Sequence, residues 1–241
     1  MKTLREIKRQ IQSGAMDRTF NKLYGGDPAA HRARYGKAVE LFAQKFGEDR
    51  QAALFSAPGR TEIGGNHTDH NNGLVMAASV NLDVIAVASP NGEDVIRIKS
   101  EGHRMDVISL AELSVSEREK NRSASLVRGI AARMKQLGYP IGGFDAYTTS
   151  NVLKGSGLSS SAAFEVLVGV VLCGLFGGSA DAVEIAKIGQ YAENVYFGKP
   201  CGLMDQMASS VGGMIAIDFE DTERPVIRRH PLRLKTADTS W

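Results

Sequence analysis

The spacing of apolar residues divides this chain into a helical start, a central region of short strands, and a second half that mixes both. Apolar residues three or four positions apart predict one helix over residues 3–12 and another from Asp27-Pro28 to Gly47. In the second helix the aspartate is expected to be the N-cap and the proline the first helical residue. We expect the segment of residues 1–50, which holds both helices, to pack on the domain that follows.

Between residues 52 and 110 the pattern changes to short β-type runs separated by turn signals, N-N-G and P-N-G. These runs predict strands at 53–57, 74–89, 95–99 and 105–110. Helical spacing then predicts helices at 123–137, 162–176, 180–196 and 204–209. Further β-type runs predict strands at 144–149, 214–219 and 226–229.

The order of these elements predicts the fold class. Strands cluster before residue 110, a later strand leads into a loop rich in glycine and serine, and three helices follow that loop. This order predicts an α/β (α+β) domain over residues 51–241, with two layers in which helices cover a mixed sheet. At 241 residues and 43% hydrophobic composition, the chain has enough apolar material for such a core.

Charge and cysteine usage exclude several classes of protein. The net charge is +2 with both signs interspersed, and no basic stretch alternates with aromatic residues, which argues against a nucleic-acid partner. Cys173 and Cys201 lie far apart in apolar surroundings, which suits neither a disulfide framework nor a zinc site. Residues 1–12 lack the apolar centre of a signal peptide, and the apolar run 166–176 is too short to cross a bilayer. We expect a cytoplasmic protein without a membrane partner.

The first candidate site is the loop that reads K-G-S-G-L-S-S-S-A-A-F at 154–164. Its glycines permit positive φ angles, and its serines favour the start of a helix whose free N–H groups bind an anion, typically phosphate. The alternative is an ordinary turn before a core helix, and this stretch alone leaves both interpretations open. The candidate residues are Gly155, Ser156, Gly157, Leu158, Ser159, Ser160 and Ser161.

The second candidate is the stretch of residues 58–73, whose glycines and polar side chains predict a loop rather than core. Arg60 can form fork-like charged hydrogen bonds, and Asn66, His67 and Asp69 supply donors and acceptors that suit a polyol or sugar. A solvated hairpin is the alternative. The H-x-x-H spacing in this loop is also compatible with a metal pair, but without a third ligand at a characteristic spacing it favours hydrogen bonding to a substrate.

The third candidate is Asp205, the single carboxylate in the otherwise uncharged stretch C-G-L-M-D-Q-M-A-S-S-V-G-G at 201–213. A lone acid in apolar surroundings costs free energy unless it is paired or functional, so its position indicates a site. The alternative is an aspartate that stabilises the first turn of a helix. The local sequence leaves both open.

Together the three stretches resemble the galactokinase branch of the GHMP small-molecule kinases, over about residues 55–219. The resemblance rests on G-R at 59–60 and H-T-D at 67–69, on L-K-G-S-G-L-S-S-S-A at 153–162, and on C-G-L-M-D-Q at 201–206. In addition, Glu193 lies 12 positions before Asp205, where galactokinase-like chains carry a magnesium-binding glutamate. The resemblance implies a domain like the second domain of ribosomal protein S5 and an ATP-dependent sugar 1-kinase.

The resemblance also implies roles for the candidate residues. Asp205 would take the proton from the attacking sugar hydroxyl, and Arg60 would stabilise the charge beside it. The phosphate loop would bind ATP, and Ser161 and Glu193 would hold Mg²⁺. The implied sugar contacts are Asn66, His67, Thr68 and Asp69.

The chain departs from the family pattern at several positions. Asn66 stands where most galactokinases carry a glutamate, and His70 replaces an aromatic residue, usually tyrosine. We therefore expect a galactose-like pyranose and leave another hexose, an amino sugar and a uronic acid open as alternatives. Leu153 replaces a proline of the phosphate loop. The family's C-terminal domain has no counterpart in the sequence, so we expect the isolated chain to be weakly active or inactive and to self-associate through an exposed apolar face. A non-catalytic sugar- and nucleotide-binding regulator is the alternative function.

Overall fold

The structure, a computed structural model, describes residues 1–65, 73–153, 155–222 and 224–230. Within these residues eight strands form one mixed sheet in the order β1-β2-β3-β6-β4-β5, and β7 pairs with β3 and β8 with β7. Among the strands of the described residues, only β4 and β6 pair in parallel. The strands are β1 (Lys2–Thr3), β2 (Gln51–Gly64), β3 (Leu74–Pro90), β4 (Val95–Ser100), β5 (Met105–Ser109), β6 (Phe144–Ser150), β7 (Met214–Asp218) and β8 (Val226–His230).

Seven α-helices pack around this sheet in the described part of the chain. They are α1 (Leu4–Gln12), α2 (Asp17–Tyr24), α3 (Ala29–Phe46), α4 (Ser123–Gln136), α5 (Ser160–Phe176), α6 (Ala182–Tyr191) and α7 (Met204–Val211). A π-helix, Ala192–Phe197, continues α6, and a 3₁₀ turn covers Glu117–Glu119. Mixed strands and helices in this order confirm the predicted α/β class. No helix among the described residues has the length and apolar character needed to span a bilayer.

Helices cover both faces of the sheet. On one face α4, α5 and α6 pack on Val84, Ala86 and Ala88 of β3, and on the other α1 and α3 pack on Ile85 and Val87. Because side chains alternate between the faces of a strand, a segment covered on both sides is a nearly continuous apolar run, as residues 84–88 of β3 are here. The N-terminal helices therefore add a third layer to the two predicted for the main domain. The domain boundary at residues 50/51 stays a prediction.

The sequence-based prediction misses strand β1 and helix α2, makes strand β2 too short, and treats the π-helix Ala192–Phe197 as part of one helix over 180–196. Helix α2 is missed because it buries one apolar residue, Phe20, and has no side-chain cap, so it carries little helical pattern. The predicted loop over 58–73 is wrong in its first half, because β2 continues through Pro58 as far as Gly64. A register shift between Pro58 and Arg60 accommodates the proline, which cannot donate to the strand ladder.

Asp83 of β3 fixes the N-terminal helices on the sheet through a buried polar network. Its carboxylate accepts hydrogen bonds from Arg34 Nη1 at 2.5 Å, Ser56 Oγ at 2.5 Å and Tyr24 Oη at 2.6 Å. The hydroxyls of Tyr24 and Tyr35 are also hydrogen-bonded, at 2.6 Å. Asp83 is 2% exposed, so its charge is compensated by these donors rather than by water.

We expect the free energy of unfolding to fall as the pH rises from about 10 to about 12. Burial, and then the charge of Asp83, raise the pKa of Tyr35 from 10.0 to about 12. The folded state thus favours the protonated hydroxyl of Tyr35. The contribution of this hydroxyl to the free energy of unfolding is complete below the pKa of tyrosine in the unfolded chain, and it is lost as the pH rises through the pKa in the folded protein. Urea unfolding at pH 9–12 measures the slope, which should be shallower in Tyr35→Phe by up to about 1.4 kcal/mol per pH unit. Equal slopes in the two proteins would contradict this.

Candidate active site

The centre of the candidate site is an ion pair between Arg60 of β2 and Asp205, in the first turn of α7. Arg60 Nε donates to Asp205 Oδ1 at 2.6 Å, and Nη2 donates to Oδ2 at 2.7 Å, which is the two-bond geometry that a guanidinium favours with a carboxylate. The Arg60 side chain is buried, whereas that of Asp205 is 31% exposed. The carboxylate is therefore held from the protein side and remains accessible from solvent.

The glycine- and serine-rich loop is bound to the same arginine. Arg60 Nη1 donates to the carbonyl of Gly157 at 2.5 Å, and its backbone N–H donates to the carbonyl of Leu158 at 3.0 Å. Gly59 permits this approach, because a Cβ at that position would lie 2.9 Å from the Leu158 oxygen. Gly155 and Gly157 have φ angles of 80° and 78°, which glycine adopts without strain.

The serine run begins α5, but not by the side-chain capping that the sequence predicts. The helix begins at Ser160, and the N-cap residue, Ser159, makes no side-chain bond to the helix. Instead its hydroxyl donates to Asp205 Oδ2 at 2.6 Å. A hydrogen bond to a charged carboxylate is stronger than one between neutral groups. Ser159 has a left-handed conformation (φ 53°), a strained state found often at functional sites. The first N–H groups of α5 are therefore left without a cap from this side chain.

Behind Asp205 lies a second, deeply buried group of polar side chains. Glu193 is in the π-helix, and its Oε2 accepts a hydrogen bond at 2.9 Å from the side-chain amide of Gln206. The same amide nitrogen donates to Glu165 Oε2, also at 2.9 Å. Lys199 Nζ lies 3.6 Å from Glu193 Oε1. Glu165, Glu193 and Gln206 are at most 4% exposed, so water contributes little to the hydrogen bonding of this group. The amide of Gln206 is therefore the main donor to the two acids.

Burial controls the protonation of this group. Burial, followed by the charge of Glu193, raises the pKa of Glu165 well above its ordinary value and favours its uncharged form. Burial, and then the same Glu193 charge, raise the pKa of the Cys201 thiol, which favours the thiol over the thiolate. Cys201 is therefore not an activated nucleophile.

The sequence analysis misses Glu165 and Gln206 as members of this site. Gln206 lies inside the quoted C-G-L-M-D-Q motif, and Glu165 is the one acid in the predicted helix 162–176. A lone carboxylate among apolar residues is the signal that singles out Asp205, and applied to α5 it would also have found Glu165.

The structure brings some predicted site residues together and does not address others. Arg60, Asp205, Ser159 and the carbonyl of Gly157 form one connected cluster. Ser161 lies in the first turn of α5, and no described hydrogen bond joins it to Glu193. The predicted sugar contacts Asn66, His67, Thr68 and Asp69 lie outside the described residues, as do His70 and Lys154.

Comparison with known proteins agrees with this fold. Residues 125–213 match the family model described as "GHMP kinases N terminal domain", and residues 40–90 match the "Galactokinase galactose-binding signature". The first match contains the serine-rich loop, Glu165, Glu193 and Asp205, and the second contains Arg60. The fold and these matches thus define the N-terminal domain of a GHMP kinase.

The most informative relatives are galactokinases. The galactokinase of Bacillus subtilis (strain 168) is 36% identical over 207 residues, which cover 83% of this chain and 53% of the relative. A crystal structure of Lactococcus lactis galactokinase complexed with galactose has a TM-score of 0.75 and 30% identity, over 83% of this chain and 53% of that one. The chain belongs to the galactokinase branch of the GHMP kinases, and it spans about half the length of these relatives.

A more distant structure shows the fold alone. The mevalonate kinase of Methanococcus jannaschii has a TM-score of 0.62 at 17% identity, over 75% of this chain and 56% of that one. At such low identity the likeness carries no information about the substrate.

Proposed function

We propose that the protein carrying this chain is an ATP-dependent sugar kinase that phosphorylates the anomeric (C1) hydroxyl of galactose or a galactose-like sugar. The observation that carries the proposal is the Asp205 carboxylate, held by Arg60 and Ser159 beside a glycine-rich loop at the start of a helix. A fixed base beside a phosphate-binding loop is the arrangement that phosphoryl transfer to a hydroxyl needs.

Asp205 acts as the base through Oδ1. A carboxylate has about four lone-pair positions, and the described bonds use one on Oδ1 and two on Oδ2. The remaining position on Oδ1 accepts the proton of the sugar hydroxyl as the oxygen–phosphorus bond forms and the bond to the ADP leaving group breaks. Arg60 stabilises the charge of this arrangement and keeps the carboxylate oriented.

The ATP phosphates bind to the loop of residues 155–161. Positive φ angles at Gly155 and Gly157 turn backbone groups outward, and a Cβ at either position would meet nothing within 4 Å, so there is room beside the loop. The uncapped N–H groups at the start of α5 are suitable donors to a phosphate, and the helix dipole favours its negative charge.

The residues present also fit Mg²⁺, which when bound would neutralise charge on the phosphates. Mg²⁺ is typically held by one or two carboxylates together with phosphate oxygens and water, rather than by a cage of side chains. The described residues contain no group of three or more histidine, cysteine or acidic side chains that could hold a metal, and the single carboxylate of Glu193 with the hydroxyl of Ser161 matches the smaller requirement. These two residues are the proposed ligands.

The sugar is proposed to bind through Asn66, His67, Thr68 and Asp69. Support comes from the galactose-binding signature that matches residues 40–90, and from the L. lactis relative, whose crystal structure contains galactose.

An assay of ADP formation against a panel of hexoses tests the proposal in the intact protein. We expect turnover with galactose or with a hexose that differs from it at one position, and no turnover without sugar or without Mg²⁺. Binding of both sugar and ATP with no ADP formed would replace the kinase by the non-catalytic binding protein. No binding of either would reject both functions.

Replacing Arg60 with lysine should lower kcat by about 10²-fold. Lysine keeps the positive charge, but a single ammonium group cannot donate to both oxygens of Asp205 and to the Gly157 carbonyl. The sugar-dependent ADP assay measures the effect. Arg97→Lys, which alters an arginine paired with Asp145 and Glu93, is the matched control and should keep full activity. An unchanged kcat in Arg60→Lys would contradict the proposed role.

A further inference from the structure

The side chain of Gln206 has no role in the proposed reaction, although it is fully buried beside the site. Its two amide hydrogens are both used, one on Glu165 Oε2 and one on Glu193 Oε2, each with an N–O distance of 2.9 Å. The opposite orientation of the amide would direct its oxygen at the Glu193 carboxylate and lose that bond. The side chain is therefore fixed from two sides by acids on different helices.

We propose that Gln206 is a positioning residue that holds the carboxylate of Glu193 in place to bind Mg²⁺. The inference rests on the proposed function, because it assumes that Glu193 is a metal ligand. Ligands of a metal are commonly oriented by a hydrogen bond from a second residue behind them, and loss of that residue weakens metal binding.

The alternatives for holding Glu193 are weak. Its Oε1 faces Lys199 at 3.6 Å, and the Lys199 side chain is 64% exposed, so this pair contributes little order. Glu193 also lies on a π-helix. The turns of a π-helix are wider than those of an α-helix, so the Glu193 side chain points in a different direction from the one it would have on an α-helix. The Cys201 thiol also lies against this group, with its sulfur 3.7 Å from the Gln206 amide nitrogen, but a thiol is a weak donor. The amide of Gln206 is therefore the stronger described donor to the Glu193 carboxylate.

Packing also restricts the stem of the Gln206 side chain. Gly189 of α6 lies against the pair, and a Cβ there would be 3.2 Å from Glu165 Cβ and 3.3 Å from Gln206 Cγ. Because successive residues of a helix point about 100° apart, the first turn of α7 directs Asp205 at Arg60 and Gln206 at Glu193. One rigid turn therefore fixes the position of the proposed base relative to the proposed metal ligand.

The test uses Mn²⁺ as the probe for Mg²⁺ and measures free Mn²⁺ by electron paramagnetic resonance in the presence of saturating ADP. In the intact protein, Gln206→Met keeps the length and volume of the side chain but removes both donors. We expect the Mn²⁺ dissociation constant to rise by about 10- to 100-fold. Binding of ADP in EDTA, measured by calorimetry, should stay within twofold of the wild type, which a general loss of structure would not allow.

Two further variants make the result decisive. Ser209→Ala is the matched control, because Ser209 also lies on α7 and loses one buried bond, to the Pro58 carbonyl at 2.7 Å, without touching Glu193; it should leave Mn²⁺ binding unchanged. Gln206→Asn keeps a polar amide but is one methylene too short to reach both acids, and it should weaken Mn²⁺ binding as Gln206→Met does. If Gln206→Met does not fold, Gln206→Asn takes its place in the test.

Glu193→Gln separates failure of the inference from failure of the proposed function. If Glu193→Gln weakens Mn²⁺ binding and both Gln206 variants bind it normally, the positioning role is wrong while the metal site stands. If Glu193→Gln itself binds Mn²⁺ normally, the metal assignment and the inference are both overturned.

Discussion

Replacing Asp205 with asparagine should lower the rate of sugar-dependent ADP formation by about 10²- to 10⁴-fold, the usual contribution of a general base. Asparagine has nearly the shape of aspartate, but its amide cannot take a proton from the sugar hydroxyl. It would also place its amide donor against Arg60 in either orientation, because Arg60 donates to both oxygens of the carboxylate. Steady-state kinetics on the intact protein should show the loss in kcat, because the sugar and ATP do not depend on this proton for binding.

The matched control for this variant is Asp181→Asn. Asp181 is the exposed N-cap of α6 and accepts a hydrogen bond from the Glu184 N–H at 2.8 Å. Asparagine caps helices about as well as aspartate, so the same change in charge should here leave activity and stability unaltered. If Asp205→Asn turned over sugar at the rate of this control, Asp205 would not be the base.

Replacing Asp83 with asparagine should lower the free energy of unfolding by about 3–5 kcal/mol, the cost of breaking a buried ion pair from one side. The variant leaves the charge of Arg34, whose side chain is 13% exposed, without its partner. It also forces an amide donor into a position where Arg34, Ser56 and Tyr24 all donate. Urea unfolding followed by circular dichroism measures the loss.

A more exposed ion pair supplies the comparison for Asp83. Asp17 and Arg32 are 2.6 Å apart with side chains 29% and 34% exposed, so Asp17→Asn should cost no more than about 1 kcal/mol. If Asp83→Asn were as mild as Asp17→Asn, the network would not be what secures the N-terminal helices to the sheet.

Local patterns predict most of the elements. Helix α1 is predicted because its signals are within the segment itself: Leu4, Ile7 and Ile11 share one buried face, and Thr3 and Glu6 form a capping box. Strand β2 is predicted too short because Pro58 and Gly59 resemble a turn in the sequence. Only pairing with β3, together with the bond from the Ser209 hydroxyl to Pro58, keeps this segment extended.

The sequence likewise predicts some features of the candidate site and misses others. The motifs locate Arg60, Ser159 and Asp205, because each lies in a short stretch of unusual composition. They do not predict that Ser159 bonds to Asp205 rather than to its own helix, since the carboxylate comes from a distant segment. Glu165 is missed for a related reason: whether an acid in an apolar helix is functional depends on which donor meets it, and here that donor is on α7.

The bonds of the central cluster connect segments that are far apart in the chain, and this has a consequence for folding kinetics. Arg60 and Asp205 are 145 positions apart, Ser159 and Asp205 are 46 apart, and Glu165 and Gln206 are 41 apart. Contacts between residues so far apart in the chain form slowly, because the entropy cost of closing the loop is paid before the contact stabilises it. During refolding, nucleotide binding should therefore reappear with the slowest global phase, after helical circular dichroism has recovered.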